Sequence, residues 1–76
     1  MYSVYKMINV NNKNDQVILY GLHDLIQDKL REHPYKGDYY GTGYFDFNKE
    51  EEALDKAVEI AGESSISIVL VDGDDL

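Results

Sequence analysis

The chain has 76 residues, 43% of them hydrophobic, no cysteine, and a formal net charge of −8. That size supports one small domain over 1–76 whose core sits near the lower limit for independent folding, with stability of roughly 5 kcal/mol or less. Without cysteine there is no disulfide framework, thiol nucleophile or Cys-ligated zinc, and a pI near 4.4 argues against a basic face for nucleic acid or an anionic membrane.

Tyr2 to Val10 alternates Tyr2, Val4, Ile8 and Val10 on one face against Tyr5 and Met7 on the other, which predicts a strand. Asn11 to Asp15 predicts a turn, because Asn and Asp tolerate left-handed backbone, and Gln16 to Tyr20 predicts a second short strand closing a hairpin. Leu22, Leu25, Ile26 and Leu30 recur at helical spacing, giving an amphipathic helix over about 22–33 that Pro34 stops. The stretch 34–44 holds three glycines and four tyrosines and reads as a loop, followed by a short edge strand over 44–47. Asn48 and Glu51 match the N-cap and N3 positions of a capping box. Behind them Ala53, Leu54, Ala57, Val58 and Ala61 predict a second helix, with Gly62 as its C-terminal cap. Ser64 to Val71 is the clearest strand, with Ile66, Ile68 and Leu70 on one face, and 72–76 form an acidic tail. The expected fold is therefore α+β, a small two-layer sandwich in the order β-β-α-(β)-α-β.

Charge and aromatic content are both segregated along this order. Residues 1–45 carry five acids and five bases, whereas residues 46–76 carry ten acids against only Lys49 and Lys56. Every aromatic residue lies at or before Phe47. Such a field attracts a basic partner and repels nucleic acid.

Glu51, Asp55 and Glu59 are four apart, so on a helix they form one ridge with steps of about 6 Å along the axis. Glu52, Glu63 and Asp46 widen that surface. A row of carboxylates at this spacing resembles a phosphate backbone and suits the basic groove of a nucleic-acid enzyme. The same row also reads as an ordinary solvated helix face, partly neutralised by a Glu52–Lys56 pair. Tyr39, Tyr40 and Tyr44 supply aromatic area with polar tips, as interfaces do, although Tyr39 and Tyr40 read equally well as cover for the small core, where Phe45 and Phe47 are expected. The Asp72-Gly73-Asp74-Asp75 tail lacks the ligand spacing of an EF-hand and reads as a solvated terminus. His23 and His33 stand at opposite ends of one helix and cannot share a metal within it. No nucleophile, base and oxyanion site assemble in the pattern, so neither catalysis, nor a metal, nor a cofactor is expected.

Val4 to Asn9 with Asn11-Asn12-Lys13, Leu19-Tyr20-Gly21, Lys29 to His33 and Glu51 to Leu54 together resemble the opening and later helix of the GIY-YIG nuclease fold, over about 50 residues. The resemblance would make Tyr5 the first catalytic tyrosine. It also places Leu19 at the second tyrosine position, Lys29 at the arginine and Ala57 at the metal-binding glutamate, so it implies the scaffold without the nuclease activity. Leu22 to Leu25, Tyr39-Tyr40-Gly41 and Ile66 to Leu70 bear a fainter similarity to the barstar family of acidic ribonuclease inhibitors, with Phe45 and Lys49 near the positions of its inhibitory acids.

The expected function is that of a small acidic binding protein with no enzymatic activity. It would be a phage or mobile-element inhibitor with an anti-defence role, blocking a basic nucleic-acid-acting host protein as a DNA mimic. The partner-binding residues would be Glu51, Glu52, Asp55, Glu59, Tyr39, Tyr40 and Tyr44. The alternative is a catalytically inactive GIY-YIG-like structural or regulatory module, working as a homodimer. With no basic segment leading into an apolar run at the N-terminus, and no apolar stretch long enough to span a bilayer, the expected location is the cytoplasm.

Overall fold

The computed structural model describes residues 1–72. Its elements run β1 (Tyr2–Asn9), β2 (Asn12–Leu22), α1 (His23–Leu30), α2 (Tyr35–Asp38), β3 (Tyr39–Gly43), α3 (Glu50–Ala61) and β4 (Ser67–Val71). The class is α+β in the expected order, with the short helix α2 added inside the stretch read as a loop. Apart from Asp72, the acidic tail lies outside the described residues.

β1 and β2 pair antiparallel from Tyr2↔Leu22 to Ile8↔Gln16, then shift register to Asn9↔Asn12. The hairpin turn is tighter than the expected 11–15, and β2 begins earlier, because the Asn11 amide donates to Asn9 Oδ1 at 2.8 Å and closes the reversal locally. β3 adds antiparallel to the free edge of β1, and β4 adds parallel to β2, giving the order β3-β1-β2-β4.

The third strand occupies Tyr39–Gly43 rather than 44–47. Gly41 and Gly43 stand opposite Met7 and Tyr5, whose side chains fill the space that a Cβ on either glycine would need. Residues 44–47 continue along β1 as an irregular hem. The Tyr44 amide donates to Val4 O at 2.9 Å, and Tyr2 and Phe47 exchange backbone hydrogen bonds at 2.8 and 2.7 Å.

Alternation along the strands sends two sets of side chains to opposite faces, and each face has its own helix. Val4 and Ile18 point to α3, where Ala53, Ala57 and Ala61 meet them with Tyr2, Tyr20, Tyr44, Phe47, Ile60, Ile66 and Ile68 around them. Met7, Leu19 and Val71 point the other way, to Ile26 of α1, with Tyr5, Val17, Leu25, Leu30, Tyr35 and Tyr39 at the margin. The two helices therefore cover opposite faces of the sheet, so the α+β fold has three layers rather than the two expected, because alternation in the strands gives each face its own apolar set. Ile18 and Leu19, adjacent in β2 and both fully buried, each anchor one of the two cores.

α1 is shorter than the 22–33 expected, since Arg31 and Glu32 donate to Asp28 O and Lys29 O and tighten the last turn before Pro34. α3 starts at Glu50 behind Lys49, which makes no side-chain capping bond, so the Asn48–Glu51 capping box does not form. Glu50, Glu51 and Glu52 occupy the first turn instead and offset the helix dipole there. At the other end Gly62 takes φ 59° and its amide donates to Val58 O at 3.0 Å, the expected cap.

Candidate functional site

α3 buries its alanine stripe and turns the opposite side outward, so Glu51, Asp55 and Glu59 form an exposed ridge along its crest. Small alanines bring the helix close to the sheet, and this leaves the long carboxylate side chains to define the surface. Lys56 pairs with Glu59 at 3.1 Å rather than with Glu52, as the i,i+3 geometry permits. Among the described residues Glu51, Glu52 and Asp55 form no ion pair.

The crest divides two different flanks. On one, Phe45, Phe47, Glu52, Asp55, Lys56 and Glu59 line an open groove of about 430 Å³. On the other, Glu51 joins Lys49, Glu50 and Leu54 around a shallow depression of about 350 Å³. Leu54 and Val58, four apart on α3, leave 37% and 53% of their surface exposed.

Phe47 packs against the core as expected, but Phe45 does not: it is 86% exposed. The hem explains the difference. Tyr44 and Phe47 turn in toward the α3 core, and Asp46 is held by Ser3, so Phe45 has only the solvent side left.

The three predicted interface tyrosines do not form one surface. Tyr44 is half-buried against the α3 core, while Tyr40 stands opposite Ile8 on that same face and is 49% exposed. Tyr39 points to the α1 face, where its ring lies 5.5 Å from that of Tyr35 and its hydroxyl donates to Asp15 Oδ2 at 2.6 Å. The hydrogen bond to Asp15 raises the Tyr39 pKa above its ordinary value, with partial burial adding to the shift.

One cluster has no counterpart in the sequence reading. Ser3, fully buried on β1, donates its hydroxyl to Asp46 and lies 2.8 Å from His23 Nδ1 at the start of α1. With the serine proton given to Asp46, Oγ can only accept from the imidazole, which selects the Nδ1–H tautomer. His23 Nδ1 and Asp46 Oδ1 are 3.8 Å apart. These are the residue types of a hydrolytic triad in the wrong arrangement. The serine faces no solvent, and the imidazole nitrogen beside it donates where a general base must accept. The cluster joins β1, α1 and the hem, and thereby fixes the segment that carries Phe45. Its members are 20 and 43 residues apart, a separation at which no local pattern signals contact.

Among the described residues no group of three or more His, Asp or Glu is placed to hold a metal ion. None of their helices is long and apolar enough to cross a membrane.

No protein-family model, curated protein or solved structure matches the chain. The site's own geometry is therefore the ground on which function is read.

Proposed function

We propose that this chain is a small acidic binding protein without catalytic activity, acting as a phage- or mobile-element-encoded inhibitor in the host cytoplasm. It blocks a basic nucleic-acid-acting protein by charge mimicry. The observation that carries this reading is the crest of α3. Glu51, Asp55 and Glu59 lie exposed in a row on one helix, within a chain of net charge −8, and among the described residues only Glu59 of the three forms an ion pair. Fixed anionic groups steer and orient a basic partner without induced fit.

The test is affinity capture from host lysate with the wild type beside the Glu51→Lys/Asp55→Lys/Glu59→Lys variant. Both are first shown to fold alike by circular dichroism, since all three positions are exposed. A basic nucleic-acid protein retained by the wild type and lost with the variant is the expected result. Equal capture by both would remove the crest from recognition and return its charge to solubility.

A further inference from the structure

The groove beside the crest combines two features that solubility alone does not require. One is Phe45, a large apolar ring held almost wholly in water. The other is a rim of carboxylates, Glu52, Asp55 and Glu59, whose single cation Lys56 is already engaged by Glu59.

Phe45 is not loose. The residue before it is tied to Val4 by a backbone bond at 2.9 Å, and Asp46 behind it is held by buried Ser3. Phe47 exchanges two backbone bonds with Tyr2. An aromatic ring presented on so constrained a segment loses little conformational freedom when a partner covers it, which is the property of a preorganised anchor.

We infer that the groove between α3 and residues 45–47 docks an arginine-bearing segment of the basic partner, a deepening that rests on the charge-mimicry reading above. A guanidinium matches both features together. Its plane stacks on the Phe45 ring, and its fork of donors engages the carboxylates of Asp55 and Glu52, which have no ion-pair partner among the described residues. A lysine ammonium carries the same charge but is more strongly hydrated and has no plane to stack. The groove thus converts a general attraction for basic proteins into a preference for arginine.

The test titrates the full chain, labelled with ¹⁵N, with a nona-arginine peptide and separately with a nona-lysine peptide, following amide shifts by NMR. Phe45→Ala and Glu51→Gln are run in parallel; both side chains are exposed, and each spectrum reports directly on folding. The expected result is shifts centred on 45–47 and 52–59 and affinity for nona-arginine at least about threefold above that for nona-lysine. Phe45→Ala should abolish most of that preference, whereas Glu51→Gln, on the other flank, should weaken both peptides alike.

Equal affinity for the two peptides, unchanged by Phe45→Ala, would overturn the groove while leaving charge mimicry standing. Binding of neither peptide would overturn both. Dimerisation of the chain that Phe45→Ala removes, read by sedimentation, would assign the ring to a second copy and overturn the arginine site.

Discussion

Gly21 shows how one residue can hold two elements together. It sits in β2 at φ 148°, opposite Val71 of β4, and a Cβ there would collide with the Val71 carbonyl oxygen. Glycine is required both for the backbone angle and for the close approach. Gly21→Ala should lower stability by about 3 kcal/mol, most of what a chain this small has, and shift the urea midpoint accordingly. A midpoint unchanged within error would mean the strands separate there at no cost. Tyr39 offers a titration at the same scale. Its neutral phenol donates to the Asp15 carboxylate, and ionisation would set two anions side by side, so its folded pKa is raised above 10.0. A raised folded value means that the stabilisation is fully present below pH 10 and is lost as pH climbs through the folded pKa. In a ¹³Cζ NMR titration the Tyr39 resonance should therefore move at a higher pH in the wild type than in the Asp15→Asn variant, and identical curves would contradict the contact.

At the scale of elements, α3 is defined by what it lacks. Ala53, Ala57 and Ala61 let it lie close over Val4 and Ile18, and its N-terminus carries no side-chain cap. Ala57→Leu should cost about 1–3 kcal/mol by overpacking that contact, whereas Val58→Ala one residue on should stay within about 0.5 kcal/mol because Val58 faces water. Thermal unfolding of the pair checks the assignment of the two faces; equal losses would contradict it. The helix period in 50–61 was plain in the residues because the alanine stripe repeats at three and four. The strand at 39–43 was not, since Tyr-Tyr-Gly-Thr-Gly has no apolar alternation and becomes a strand only by lying against β1. The Asn48–Glu51 signature failed for a related reason. Local capping preference is weak, about 1 kcal/mol, and backbone bonds from the hem to β1 bear on where the helix can begin.

For the molecule as a whole, charge is the governing quantity. Ten of its acids lie in residues 46–76, and Glu51, Asp55 and Glu59 stand together on one helix. Under the proposed charge mimicry, complex formation through this surface should weaken steeply between about 50 mM and about 500 mM NaCl, mainly through a slower association rate. Surface plasmon resonance across that range tests the claim, and salt-insensitive binding would point to an apolar contact instead. Segregation of charge and aromatic content was evident in composition, and so was the ridge at 51, 55 and 59. The division of that ridge between two flanks was not, nor the exposure of Phe45, nor the turning of Tyr39 onto the opposite face from Tyr40 and Tyr44.

The amino-acid order alone was enough for the α+β class, the succession of elements, the two main helices and the acidic character of the second half, because periodicity, propensity and charge are properties of near neighbours. Packing assigned the helices to opposite faces, buried Ser3 between His23 and Asp46, and held Phe45 outward. Those outcomes depend on residues far apart in the chain meeting in space, as Ser3 does with His23 and Asp46, 20 and 43 positions on, and only the assembled sheet brings them together.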